Sequence, residues 1–365
     1  MRTHKCLTKP RYRSRGFSMV EMMVALVITL ILLAGIGQIF LSSKKSFVIQ
    51  NTLGRIQENG RYAMDVLVSD LRRAGYWGGN SDINSIIGSS GIHSAATEAC
   101  ATGGESNWAR MLGSSIYGLD LSGSEKPSDT GNDYSCIKDA GATPYVRGDV
   151  LMVRYAHASA IGSITKPLPC NQPAPNTTIK DCYPNEYFLR SSLFSGRLFK
   201  GVDSEDTSND LDAPALRTAE LVAHAYYIGT SSNASACPAD GAVPSLYRVN
   251  LVNGVLTVAE IAYGVDNLQV KYGVDTSNDD NVVDRYYDAN EIDSNDTAKP
   301  DWEDVVTARI WLLVRAECPE TGYTNDNTYT MGYNTTTEGY TPADTANRGY
   351  RRKLYTSTVK LRNRN

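Results

Sequence analysis

From Met22 to Leu41 the chain runs for twenty residues without a charge. At about 1.5 Å per helical residue, that run spans roughly the 30 Å hydrocarbon core of a bilayer. Beyond Lys44 and Lys45 the apolar positions thin to a stripe. Ile49, Leu53, Ile56, Ala63, Leu67, Leu71 and Ala74 recur at helical spacings, with Gln57, Glu58, Arg61, Asp65, Ser69 and Arg72 between them. The pattern predicts one helix from about Phe17 to Gly75, apolar all round at first and then one-sided. Gly75 and Gly78-Gly79 supply its end.

Residues 78–147 are rich in Gly, Ser, Asn and Asp and read as a long, partly irregular connection. The period then changes to two. Asp149 to His157, Ala219 to Ile228 and Leu246 to Ile261 read as strands, the last folded at Asn253-Gly254 into a hairpin. Leu268, Val270, Tyr272 and Val274 alternate with Gln269, Lys271 and Gly273, as in a sheet with one wet face. Val306 to Val314 repeats the alternation, and Tyr355, Ser357, Val359 and Leu361 close the chain. The expected class is α+β: a long N-terminal helix against an antiparallel sheet with long loops. The expected divisions are 1–16, a basic leader; 17–43, a membrane-spanning half-helix; 44–76, an amphipathic half-helix; and 77–365, a β-rich head.

Charge sets the direction. Arg2, Lys5, Lys9, Arg11, Arg13 and Arg15 precede the apolar run with no acid among them, which keeps the leader on the cytoplasmic side and exports the rest. The whole chain carries 36 basic and 40 acidic residues. Without the leader's six cations the balance falls from −4 to −10, which argues against bulk binding to nucleic acid. Cys6 belongs to the leader. The other six, Cys100, Cys136, Cys170, Cys182, Cys237 and Cys318, form an even set in an exported chain and are disulfide candidates, with Cys170 and Cys182 the nearest local pair.

One charge stands inside the hydrophobic segment. Gly16-Phe17-Ser18-Met19-Val20-Glu21 followed by an apolar helix resembles the signal of type IV pilins and type II secretion pseudopilins. The resemblance implies cleavage after Gly16 by a membrane peptidase, N-methylation of Phe17, and use of Glu21 in assembly. Glycine before the scissile bond allows close approach to the backbone. A carboxylate at the edge of a bilayer favours a cation, such as the new terminal amine of a neighbouring subunit. Ser18 and Glu21 also have the spacing of a capping box, so the two roles can coexist. Arg55 to Tyr76 and the closing Arg351 to Arg364 resemble PilW-type minor pilins. Implied partners are other major and minor pilins, the prepilin peptidase and an inner-membrane assembly platform. The implied location is the bacterial inner membrane with the C-terminus periplasmic, then the pilus at the cell surface. A type II secretion pseudopilin and a membrane-tethered adhesin are the alternatives. The chain departs from many major pilins in having no proline between Pro10 and Pro127, with Gly35 and Gly37 as the soft points of the apolar run, and in having 47 residues after Cys318.

Other chemistry is sparse. Asp275, Ser277, Asp279, Asn281 and Asp284 place oxygen ligands at near-alternate positions of a loop, as hard cations prefer, making Ca²⁺ a possible ligand of a chain that requires no cofactor. Asp280 stands where a calcium loop wants glycine, and Tyr286 where it wants an acid. Gly-Tyr pairs at Gly322, Gly332, Gly339 and Gly349 mark a loop that is either disordered or tightly wound, or else offers tyrosines for subunit contact or adhesion. His93, His157 and His224 stand singly with no catalytic spacing, so no enzyme is expected.

Overall fold

The computed structural model describes residues 16–80, 83–88, 113–121, 128–129, 132–133, 137, 144–160, 183–203, 217–232, 237, 242–252, 255–277, 280–293, 296–332, 340–342 and 345–363. Helix α1 covers Met19–Leu71 without interruption, through Gly35 and Gly37. The chain divides into two compact units between Thr52 and Leu53.

In the first unit every residue from 16 to 48 is exposed, and α1 is long and apolar enough to cross a membrane. Thr29 Oγ1 donates to Ala25 O at 2.7 Å, so its hydroxyl is satisfied along the helix itself.

The second unit holds the core. Ile56, Ala63, Leu67 and Leu71 of α1, followed by Ala74, are buried against strand residues, whereas Ile49 and Leu53 of the predicted stripe are half-buried and exposed, respectively. Among the described residues the strands are β1 (Ile86–Ile87), β2 (Ile116–Leu119), β3 (Ser128–Asp129), β4 (Asn132–Asp133), β5 (Tyr145–Ala160), β6 (Tyr187–Ser191), β7 (Gly196–Lys200), β8 (Arg217–Thr230), β9 (Pro244–Val252), β10 (Val255–Tyr263), β11 (Val265–Val274), β12 (Arg285–Tyr287), β13 (Val305–Arg315) and β14 (Arg352–Lys360). They form one sheet in the order β1-β7-β6-β8-β5-β2, with β9 on β8 and β10 on β9, a second in the order β12-β11-β13-β14, and a β3-β4 ribbon. Pairing is antiparallel except between β1 and β7.

The two sheets meet along β5 and β11. Gly148 in β5 has φ +82°, and a Cβ there would lie 2.6 Å from Asn267 Oδ1 and 2.7 Å from Leu268 O, so only glycine permits the approach. Asp149 accepts from Val270 N at 2.7 Å and Leu121 N at 3.4 Å, which joins the strands by a side chain.

β11 corrects one expectation. All ten of its residues are buried, including Gln269 and Lys271, which the alternation places on a wet face. Lys271 reaches Asp288 at 2.9 Å, and Gln269 donates to Asn267 at 3.3 Å, so the second face is covered and its polar groups are paired. Strands β6 and β7 also lie where no strand is expected. Three tyrosines of the Gly-Tyr segment meet arginines: Tyr323 lies under Arg351 at 4.3 Å, Tyr340 beside Arg147 at 5.9 Å, and Tyr350 under Arg315 at 4.1 Å, while Tyr333 and Gly339 lie outside the described residues.

Candidate functional site

Two places set polar side chains against helix α1. The first is the start of α1. Ser18 occupies the N-cap position, its carbonyl accepts from Met22 N at 3.1 Å, and its backbone N–H donates to Glu21 Oε2 at 3.5 Å. This is the glutamate half of a capping box, which brings the carboxylate back over the first turn. Phe17 is 84% exposed, and the apolar surface from Phe17 to Leu41 is uncovered, so Glu21 sits beside an accessible backbone and a long hydrophobic face. Gly16 and Phe17 are thus reachable, as a processing site requires.

The second place holds the rest of α1 to the sheet. Asp70 stands on the apolar stripe, yet it is 4% exposed. Tyr226 Oη donates to its Oδ2 at 2.5 Å and Tyr155 Oη to its Oδ1 at 2.9 Å, and His224 Nδ1 shares Oδ2 with Tyr226. Burial pushes the Asp70 carboxyl up, but the bonds and charge from His224, with the two tyrosines, bring it below its ordinary value. Burial and the Asp70 charge hold both phenols well above theirs. Arg73 adds a longer contact to Asp70 at 3.8 Å. With its oxygens committed to three side chains, this carboxylate serves as a clamp.

The sequence contains a signal for this clamp: Asp70 follows Leu67 by three residues and Ala63 by seven, on the face that has to be buried. His224 is structural, as expected, but its partner is invisible without the fold. His157 Nδ1 accepts from Ser159 N at 3.1 Å, a local role. His93 lies outside the described residues.

More of α1 is tied down by polar contacts at both ends of its packed half. Asn59 donates to Tyr263 O at 2.9 Å, and Tyr355 Oη donates to Ile56 O at 3.2 Å. Gly60 faces the Tyr355 ring so closely that a Cβ would come within 2.2 Å of it. At the C-terminal end Asn363 Nδ2 donates to the carbonyls of Arg72, Arg73 and Ala74 at 3.2 to 3.3 Å, in the turn that follows α1, where Arg73 O also accepts from Tyr76 N at 3.0 Å. The Arg55–Tyr76 and Arg351–Arg364 segments, noticed separately in the sequence, are therefore in contact.

In the loop from Asp275 to Asp284 the acids serve the loop itself. Asp275 accepts from Ser277 N at 3.3 Å and Asn281 N at 2.7 Å. Asp284 accepts from Thr276 N at 2.8 Å and Ser277 Oγ at 2.9 Å, which lowers its pKa, the Thr276 backbone bond most of all. Asp279 lies outside the described residues, and among those described no group of three His, Cys, Asp or Glu is arranged to hold a metal ion. Cys237 and Cys318 form a disulfide with Cα atoms 5.7 Å apart. Cys100, Cys136, Cys170 and Cys182 lie outside the described residues.

Residues 11–37 match the prokaryotic N-terminal methylation motif, and residues 225–363 match the family of type IV pilus-assembly protein W. The PilW region begins beside His224 and ends at Asn363, so it takes in Tyr226, Tyr355 and the helix cap. A type IV-like pilin from Thermus thermophilus aligns at 9% identity over 60% of this chain and 82% of its own, with a TM-score of 0.23. No curated protein matches the sequence.

Proposed function

We propose that this chain, a type IV pilin-like protein with a prepilin methylation motif and a PilW region, acts as a minor pilin that helps to prime assembly or sits at the tip. The observation that carries the reading is the uncovered apolar helix preceded by Gly16-Phe17 and opened by Glu21. Cutting at Gly16-Phe17 removes the six leader cations, leaves the apolar segment intact and creates a terminal amine four residues from Glu21. In an assembly of like helices, Glu21 then meets the amine of a neighbour where both are poorly hydrated, which favours insertion. The prepilin peptidase, other pilins and the inner-membrane platform are the partners this requires. The protein waits in the inner membrane with its head in the periplasm and ends in the pilus at the cell surface. A head of this size crowds a regular fibre, which favours a low-copy role. Pilin-like families are structural proteins, and the work assigned here is packing rather than catalysis. The PilW region favours a pilus over the type II secretion pseudopilus.

N-terminal mass spectrometry of the membrane-associated protein should find N-methyl-Phe17; an intact leader, or a start near Gln38, would overturn the reading. Glu21→Ala should be processed and membrane-bound yet fail to enter pili. Normal incorporation of that variant would remove Glu21 from assembly.

A further inference from the structure

At the junction of β13 and β14, positive charge outnumbers negative. Arg315 and Arg352 are directly opposed partners across that ladder, a placement that costs stability for like charges. Arg147 arrives from β5. One buried acid stands among the three and pairs with two of them: Asp266 Oδ1 lies 3.3 Å from Arg147 Nη1, and Oδ2 lies 2.7 Å from Arg352 Nε. Tyr340 Oη joins them, 2.5 Å from Arg147 Nη1 and 3.4 Å from Asp266 Oδ2.

Asp266 pairs with Arg147 and Arg352 and makes no ion pair with Arg315 among the described residues. The Arg315 guanidinium stacks on Tyr350 at 4.1 Å, and Arg352 lies 5.8 Å from the same ring. The other nearby acids are engaged, Glu317 with Arg55 and Tyr263, and Glu320 with Arg351. Arg315 is 6% exposed and Arg352 is buried; Arg315 Nε and Arg352 Nη2 have no hydrogen-bond partner among the described residues. Burial pulls the Arg315 pKa down; Asp266 opposes this, while Arg352 and Arg147 add to it. Three guanidiniums and one carboxylate leave two surplus positive charges, and buried donors of this kind are costly unless matched. Guanidinium forks match pairs of oxygens on phosphate or carboxylate. Burial of the donors favours a small ligand, and Arg147, 30% exposed, marks the side open to solvent.

We propose that Arg147, Arg315 and Arg352 bind a small oxyanion carrying two negative charges, of the phosphate or dicarboxylate kind. The site does not depend on the role of Glu21 or on processing.

Thermal unfolding of the full chain in detergent at pH 8 tests this, with sodium phosphate or succinate titrated against sodium chloride at matched ionic strength. A saturable stabilisation by either dianion is expected, and which one acts identifies the ligand type. Arg315→Gln should weaken the apparent affinity roughly tenfold or more while melting no lower in chloride alone, since it removes unmatched buried charge. Arg315→Lys keeps the charge and loses the fork, and should also weaken binding if the glutamine variant does not fold. The proposal fails if neither dianion acts saturably, if the effect survives both substitutions, or if Arg315→Gln destabilises in chloride with no dianion dependence.

Discussion

Asp70 and Asp149 are both buried acids, and their partners give them opposite responses to pH. Asp70 is lowered, so its contribution is complete above the ordinary carboxylate pKa of about 4 and is lost as pH falls through the folded value. Asp70→Asn should therefore cost about 2–4 kcal/mol at neutral pH and flatten the acid limb of stability, measured by urea unfolding between pH 2 and 7. Asp149 is raised, by burial first and then by Asp120, against the pull of its two backbone donors. Its contribution is present below the unfolded pKa and declines as pH rises through the folded value. Asp149→Asn should therefore gain stability relative to the parent as pH rises from 5 to 8, in paired thermal melts.

At the scale of elements, α1 is held by its stripe and by side chains that meet its backbone. Gly60→Ala should raise helix propensity by about 1 kcal/mol, yet the new methyl collides with the half-buried Tyr355 ring. Overpacking should win, giving a net loss of about 1–2 kcal/mol in chemical unfolding. Pairing this change with Tyr355→Leu should recover much of it. The helix, its end and the strands β5, β8 to β11, β13 and β14 were legible because period and turn residues are local. β6 and β7 were not: Arg190 and Arg197 interrupt their apolar positions, β6 is held by pairing with β8, which lies elsewhere in the sequence, and β7 is held by β6 and the remote β1. Burial of Lys271 was hidden for the same reason, since it depends on Asp288 arriving from the next segment. Of the candidate sites, the Gly16-Phe17-Glu21 motif is local and so stands whole in the sequence, within the stretch that matches the methylation motif. The Asp70 clamp showed only as an acid out of place on a stripe, because three of its partners come from distant strands.

The whole second unit closes through contacts between remote parts of the chain. The Cys237–Cys318 bridge joins residues 81 apart, and loop-closure entropy for such a span is worth about 4–5 kcal/mol. Cys237→Ser with Cys318→Ser should lower stability by an amount approaching this, read from unfolding midpoints under oxidising conditions, with the parent losing a similar amount on reduction.

Asn363 adds a constraint of timing. The carbonyls of Arg72, Arg73 and Ala74 are among the first parts of the head to be made, but their cap is one of the last. During synthesis, some 290 residues separate the request from its answer. A growing chain can therefore collapse around α1 early but cannot close this cap until its last residues are made.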